Sequence, residues 1–88
     1  MQREFYTFPA ILSYDVPGEV GVIFPDIPGC TGQCKDNVDV VAYAREVLTF
    51  HLETMIENRE KIPEPSAVQD IKAAPDEKIV GIRTFITY

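Results

Sequence analysis

The first third of the chain alternates apolar and polar positions with a period of two. The apolar side of this alternation carries Phe8, Ala10, Leu12 and Tyr14, and after a turn it resumes in Val20, Val22 and Phe24. The pattern predicts two strands, each with one buried face. Between them, Pro17 presets the φ angle of a turn, and Gly18 accepts the positive φ that a type II turn requires. The two strands should therefore form an antiparallel hairpin.

The stretch "FPDIPGCTGQCKDN" connects this hairpin to a helical pattern. Pro25 lacks an amide proton and ends the second strand, and Pro28 opens another turn with the glycine that follows it. A third strand is predicted over residues 30–35. Asn37 follows that strand and is a suitable N-cap for a helix.

Between residues 38 and 58 the apolar period changes to three or four residues, which predicts an amphipathic helix lying across the sheet. The main apolar stripe consists of Val41, Ala44, Leu48, His51 or Leu52, Met55 and Ile56. Four further apolar residues widen it, namely Val40, Tyr43, Val47 and Phe50. We expect part of this wide stripe to remain uncovered by the sheet and to be available to a partner.

The last ten residues, "IVGIRTFITY", are rich in strand formers and carry a single charge, at Arg83. Before them, the prolines of "KIPEPS" exclude a continuous helix, and Ser66 is a candidate cap for a short turn at residues 68–71. Because strand–helix–strand connections form right-handed crossovers, the last strand is predicted to run parallel to a neighbour. Pro9 lies inside the first strand, where a proline calls for a bulge or a strand start.

The predicted fold class is therefore α+β with the order β-β-β-α-β. It comprises three antiparallel strands, one parallel strand and a long helix packed on one face. At 88 residues, with 45% apolar and 25% charged residues, the chain is expected to be one small globular domain covering residues 1–88.

Composition and charge narrow the classes of function. No apolar run approaches the ~20 residues of a membrane span. The N-terminus lacks the basic start and apolar stretch of a secretory signal, so we expect a cytoplasmic location. A formal charge of −6 and a pI near 4.6, without a clustered basic patch, argue against direct nucleic-acid binding. The same charge favours a basic protein as partner.

Neither metal chemistry nor catalysis is the favoured interpretation of the reactive residues. Cys30 and Cys34 have only His51 as a further nitrogen or sulfur ligand, fewer than the four ligands of a structural zinc site. We therefore expect no metal or other cofactor and interpret the cysteines as small thiols on one strand face. A metal-dependent nuclease would need converging acids, but Asp15 and Asp26, like the neighbouring Glu19, lie at or beside turns, which explains them more simply. His51 is interpreted as a core or boundary residue, and we expect no enzymatic activity.

Several of these features together resemble the N-terminal domain of HicB-type antitoxins. The resemblance covers about residues 5–66 and is carried by "FPDIPGC" at residues 24–30, the polar residue Asn37 before the helix, the Ala42/Ala44 region and "IPEPS" at residues 62–66. It implies a partial ribonuclease H-like fold without ribonuclease H activity, which binds and masks a HicA-type toxin. Such toxins are small basic proteins that resemble double-stranded RNA-binding domains and cut RNA with a histidine of their own.

Many members of that family continue into a ribbon-helix-helix or helix-turn-helix that binds operator DNA. This sequence stops at Tyr88. We therefore expect no C-terminal DNA-binding domain in these residues and no autorepression through direct DNA binding.

Our leading hypothesis is a non-catalytic antitoxin-like protein that neutralises a basic HicA-type RNA-cleaving toxin by masking its RNA-binding surface. The candidate partner-binding residues are Glu19, Asp26, Glu46, Phe50, Glu53 and Glu57. The apolar last strand is a candidate oligomer edge through Ile79, Val80, Ile82, Phe85 and Ile86, and predicts a homodimer or higher homo-oligomer. Two alternatives stay open: an orphan interaction module of the same fold with a different partner, and a metal-dependent nuclease.

Overall fold

A computed structural model describes residues 3–87, which form a four-stranded sheet with one helix packed on one face. The elements in chain order are β1 (Arg3–Ser13), β2 (Glu19–Ile23), β3 (Thr31–Lys35), α1 (Val40–Glu57), a 3₁₀ turn (Val68–Asp70) and β4 (Glu77–Thr87). The strand order is β3-β2-β1-β4, and neighbouring strands are antiparallel throughout. The α+β class and the β-β-β-α-β order are confirmed. Tyr88, the end of the predicted last strand, lies outside the described residues.

The core lies between α1 and the face of the sheet that the period-two pattern predicted. Its strand residues are Phe8, Ala10, Leu12, Val20, Val22, Ile82 and Ile86. From the helix, Ala44, Leu48 and Leu52 recur every four residues and are fully buried against them. Tyr14 is 43% exposed. Its predicted place on the buried face is wrong because β1 ends one residue earlier.

The "FPDIPGC" corner consists of two successive turns. Ile27 N–H donates to the Phe24 carbonyl, and Cys30 N–H donates to the Ile27 carbonyl, each over 3.1 Å. Gly29 has a φ of +83°, which only a residue without a Cβ adopts readily. The prolines set these turns. The side chains of Phe24, Ile27 and Cys30, spaced three residues apart, are buried. The predicted turn chemistry is confirmed, and the corner contributes to the core.

The N-cap of the helix lies later than predicted, at Asp39 and not at Asn37. The Asp39 carboxylate accepts a hydrogen bond from Ala42 N–H over 3.1 Å, which is N-cap geometry. Asn37 instead lies in the preceding turn, where Val38 N–H approaches the Lys35 carbonyl. Residues 36–39 form the connection between the end of β3 at Lys35 and the start of α1 at Val40.

The last strand runs antiparallel to β1, so the predicted parallel strand is wrong. A parallel neighbour would follow if β4 began where α1 ends. Instead, residues 58–76 return along the length of the sheet, and β4 begins at Glu77 opposite Ser13. The crossover rule fails here because this connection traverses the sheet a second time.

Pro9 lies within β1, whose register with β4 is one-to-one over all eleven residues. The bulge or strand start predicted there is therefore wrong. Tyr14 N–H donates to the Asp76 carbonyl over 2.9 Å, so even-numbered residues of β1 bond to β4 and odd-numbered residues face β2. Because β2 ends at Ile23, Pro9 faces a side of β1 that has no ladder at its level, and its missing N–H costs no hydrogen bond.

None of the helical segments in residues 3–87 combines the length and the apolar character that a membrane crossing needs.

Candidate functional site

Four of the predicted partner-binding residues lie on one face of α1. Glu46, Phe50, Glu53 and Glu57 follow one another at steps of four, three and four residues, so their side chains form a single stripe along the helix. All four are exposed, and the stripe points away from the buried side of the helix. We call it the outer stripe.

Phe50 is the most exposed large apolar residue within residues 3–87, at 71%. Along the stripe, Phe50 lies between Glu46 and Glu53. Fully burying a phenylalanine side chain contributes roughly 1.5–3 kcal/mol. The outer stripe therefore offers a partner an apolar anchor with acidic groups on both sides.

Two open grooves meet at Phe50. One lies toward β3 and is lined by Cys30, Thr31, Tyr43, Glu46, Val47, Phe50 and His51. The other lies toward the end of β4 and is lined by Phe50, Glu53, Thr54, Ile56, Glu57, Ile86 and Thr87. Both expose apolar and acidic side chains, so a partner with apolar and basic side chains is complementary to them.

Two acids of the outer stripe, Glu53 and Glu57, lie where they do not favour the helix. The carbonyl end of a helix carries partial negative charge, and an acidic residue there is unfavourable by a fraction of a kcal/mol. Glu57 is the last residue of α1, and Glu53 lies one turn earlier. The whole helix lies within the described residues, and its last turn contains no basic residue. The charge pattern is thus unfavourable for the isolated helix and is better suited to binding a cation from outside.

The other two predicted partner-binding residues lie away from the outer stripe. Glu19, on β2, accepts a hydrogen bond from the Gln33 side chain on the sheet face opposite the helix. Asp26, in the "FPDIPGC" corner, accepts two hydrogen bonds from Ser66. The structure therefore brings four of the six predicted residues together and places two elsewhere.

The residues predicted to form contacts in an oligomer lie on β4, which is an edge strand. Their side chains differ in solvent exposure. Ile82 and Ile86 are buried in the core. Ile79 and Val80 are half-buried, while Phe85 is 48% exposed. Only the last three offer side-chain surface to a neighbour.

The two thiols are unpaired and poorly ionised. Burial raises the pKa of the Cys30 thiol to about 11 and also raises the pKa of Cys34. Residues 3–87 contain no group of three or more His, Cys, Asp or Glu side chains placed to hold a metal ion. His51 lines the groove beside β3.

One cluster on the opposite face of the sheet was missed by the sequence reasoning. Phe5 and Phe85 lie directly opposite each other on β1 and β4, with ring centroids 5.7 Å apart. The Arg3 guanidinium lies 4.9 Å from the Phe85 ring centre, and that of Arg83 lies 4.9 Å from the Phe5 ring centre. No local pattern signals this cluster, since it depends on the antiparallel pairing of two strands that are more than 60 residues apart.

A family model described as "HicB_like antitoxin of bacterial toxin-antitoxin system" matches residues 8–86. Among curated proteins, an uncharacterized 14.9 kDa protein from the rep-hol intergenic region of Haemophilus phage HP1 (strain HP1c1) is 30% identical over 57 residues. That match covers 65% of this chain and 43% of the phage protein, so the chain spans less than half the length of this relative.

Three solved structures share the fold. The N-terminal domain of antitoxin HicB from Burkholderia pseudomallei is 28% identical, with a TM-score of 0.70 over 88% of this chain and 95% of that one. A toxin–antitoxin complex from Streptococcus pneumoniae gives a TM-score of 0.77 at 19% identity, over 91% and 69% of the two chains. A HicA3 and HicB3 toxin–antitoxin complex gives 0.66 at 23% identity, over 93% and 96%.

Proposed function

We propose a function from one premise: the chain belongs to the HicB-like antitoxin family of bacterial toxin–antitoxin systems. On this basis the protein binds a basic HicA-type RNA-cleaving toxin and neutralises it by masking the surface on which RNA would bind. It acts by association and breaks no bond itself. The expected toxin chemistry is that implied by the sequence resemblance, a small basic protein with an RNA-binding face.

The observation that carries this proposal is the outer stripe. It places one exposed phenylalanine among three carboxylates on a chain of net charge −6. A surface that binds RNA presents cationic side chains to the phosphates. The outer stripe presents the opposite charge and is therefore complementary to the same surface.

Phe50 and the acids contribute differently to such a complex. An apolar side chain that becomes buried at the centre of an interface mainly slows dissociation. Exposed charges at its rim mainly raise the association rate and make it salt-dependent. We therefore expect Phe50 to determine how long the complex lasts, and the glutamates to determine how fast it forms.

Inhibition of RNA cleavage by the toxin tests this proposal. The toxin encoded beside this chain is incubated with a fluorescent RNA and titrated with the purified protein. We expect cleavage to stop at a fixed molar ratio of the two proteins. Undiminished cleavage at a large excess of this protein would remove the proposal.

A charge-matched pair of variants shows whether the outer stripe is the surface responsible. The first carries Glu46→Gln, Glu53→Gln and Glu57→Gln. The control carries Asp36→Asn, Glu64→Gln and Asp70→Asn, three exposed acids away from the stripe. Both lose the same charge, so only the first should inhibit poorly and associate slowly. Equal effects in the two variants would assign the contribution to total charge and not to this surface.

A further inference from the structure

The cluster on the sheet face opposite the helix has a defined order. We call it the arginine–phenylalanine cluster, and it consists of Arg3, Phe5, Arg83 and Phe85. In the register of β1 with β4 the two phenylalanines lie opposite each other, and each arginine lies two residues away from them, one on either side. Along the strands the cluster therefore runs from a cation over a pair of rings to a second cation.

The cluster is exposed and its charge is not neutralised. Phe5 is 56% exposed and Phe85 48%. The guanidiniums of Arg3 and Arg83 each lie 4.9 Å from a ring centre, and no carboxylate within residues 3–87 forms an ion pair with either of them. A guanidinium that lies over a ring keeps the N–H donors at its rim available. On a chain of net charge −6, the cluster is a local site of opposite sign.

Arg45 adds a third cation from the helix. Its Nε donates to the Arg83 carbonyl over 3.0 Å, and within the described part of the chain no other hydrogen bond engages its guanidinium. Together with the two phenylalanines, Arg45, Arg83 and Thr84 line a groove of about 280 Å³. Pockets that enclose a small molecule are larger, at ~300–1,000 Å³. The groove is therefore better suited to one side chain of a larger partner.

The connection between α1 and β4 covers the middle of this sheet face but not the cluster. A Cβ at Gly81 would lie 3.5 Å from Val68 Cγ2, which places the connection over β4 at this point. Pro9, opposite Gly81 on β1, is fully buried. Two residues further along β4, Arg83 is exposed again. The uncovered part at this end of the face is thus short, with room for a few residues of a partner.

We propose that the cluster binds an extended acidic segment of a second protein partner, distinct from the basic toxin. In an extended segment, residues i, i+2 and i+4 point to the same side. Acids at i and i+4 would meet Arg3 and Arg83, and an apolar residue at i+2 would lie against the two rings. Carboxylates bind guanidiniums in bidentate geometry, so this segment matches the cluster in both charge and order. The inference does not rest on the proposed toxin, whose basic surface the cluster would repel.

Single-stranded nucleic acid also combines negative charge with flat rings, but the geometry favours a peptide. Bases stack on aromatic faces that are free to receive them. In the cluster the two rings are tilted by 50° to each other, and each already has a guanidinium over it. The net charge of −6 also repels a long phosphate backbone, whereas a short peptide carries only a few charges to the site.

Fluorescence anisotropy of the whole chain with a labelled peptide tests the proposal. The probe contains the core Glu-Ser-Leu-Ser-Glu, and a control peptide has the same composition in the order Glu-Glu-Leu-Ser-Ser. We expect saturable binding of the probe with a dissociation constant below about 1 mM, and at least about fivefold weaker binding of the control peptide.

A charge-matched pair of variants locates the binding site. Arg3→Gln combined with Arg83→Gln should weaken binding of the probe at least tenfold. Lys35→Gln combined with Lys72→Gln removes the same charge from two exposed residues, one on the far edge strand and one before the start of β4, and should change binding less than twofold. Circular dichroism of each variant checks that it is folded.

Several results would overturn the proposal. They are the absence of saturable binding by the wild type, equal binding of the two peptides, and equal weakening by the two double variants. Tighter binding of an eight-nucleotide uridine RNA than of the probe would assign the cluster to nucleic acid instead. The double arginine variant should still stop RNA cleavage by the toxin, and loss of that inhibition would place the cluster in the toxin interface. Because the peptide titration contains no toxin, its result is independent of the proposed function.

Discussion

The carboxylate of Asp26 holds Ser66 with both of its oxygens. Ser66 N–H donates to Oδ2 and Ser66 Oγ–H donates to Oδ1, each over 2.7 Å. The two residues lie 40 positions apart, one in the "FPDIPGC" corner and the other in "IPEPS". These two motifs are therefore the two halves of one contact, which fastens the returning connection to the sheet before β4 begins.

We predict that loss of the Asp26–Ser66 contact destabilises the fold. Hydrogen bonds to a charged group contribute about 1.5–3 kcal/mol each, so Asp26→Ala should lower the free energy of unfolding by more than Ser66→Ala, which removes only one bond. The double variant should cost less than the sum of the two, with a coupling of about 1–2 kcal/mol. Urea unfolding measures all three variants, and Asp36→Ala, at an exposed acid, is the control. Additive costs would show that the two residues do not act together.

Gly32 is predicted to be irreplaceable even by alanine. A Cβ at this position would lie 2.5 Å from the Tyr43 hydroxyl oxygen and 3.2 Å from two ring carbons. The hydroxyl cannot move freely, since it accepts from Gln33 N–H over 2.9 Å. Gly32→Ala should therefore cost about 1–3 kcal/mol of unfolding free energy.

The matched control for this prediction is Tyr43→Phe, which removes the obstructing oxygen. Alone it should cost about 0.5–1.5 kcal/mol for the lost hydrogen bond. In its presence, Gly32→Ala should cost clearly less than in the wild-type background. An unchanged cost would mean that the hydroxyl is not what Gly32 accommodates.

Arg59 is predicted to be a stabilising site for glycine. It follows the C-cap of α1 with a φ of +57°, while Arg59 N–H and Glu60 N–H donate back to the carbonyls of Ile56 and Met55. This is the Schellman arrangement, whose left-handed position is usually glycine. Arg59→Gly should raise the free energy of unfolding by about 0.5–1 kcal/mol in thermal or urea unfolding. Arg59→Ala keeps the Cβ and should give no such gain, and equal gains would point to loss of the charge instead.

The two thiols should differ in reactivity. Cys30 is buried and its pKa is raised to about 11, so at pH 8 a thiol reagent should modify the half-buried Cys34 first and reach Cys30 only on unfolding. Mass spectrometry of the partly modified protein locates the label. Equal labelling rates in the native protein would contradict the assigned burial.

The raised pKa of Cys30 also predicts a pH dependence of stability. In the unfolded chain this thiol ionises near its ordinary pKa of about 8.5, before the folded protein releases the same proton. The unfolded state therefore binds fewer protons, and the free energy of unfolding should fall as the pH rises from about 8.5 towards 11. The Cys34→Ala variant isolates this effect in urea titrations. A flat profile across this window would contradict the prediction.

Local patterns predicted the parts of the fold that depend on neighbouring residues. The period of two identified the buried faces of β1 and β2, and Pro17 with Gly18 identified their turn, where Glu19 N–H donates to the Val16 carbonyl. The wide apolar stripe of α1 predicted that some of it would stay uncovered, and Phe50 and Val41 are the stripe residues left exposed.

Features that depend on distant pairing were not predictable in this way. The direction of β4 depends on the path of residues 58–76. The composition of this segment predicts a loop but not the direction in which the loop runs. Asp26 was predicted to be a partner-binding acid. Its bond to Ser66 could not be predicted, because it spans 40 residues and leaves no periodic signal. The predicted N-cap was wrong for a local reason. Both Asn37 and Asp39 are suitable N-caps, and only the length of the preceding turn decides between them.

The dissociation constant of the complex with the neighbouring basic toxin tests the central claim most directly. It is measured by calorimetry for the wild type, for Phe50→Ala and for Val41→Ala, an apolar residue on the same helix that is 42% exposed but lies off the outer stripe. We predict at least tenfold weaker binding for Phe50→Ala, which corresponds to about 1.4 kcal/mol, and less than a twofold change for Val41→Ala. Wild-type affinity in the Phe50→Ala variant, with its fold intact, would contradict the account.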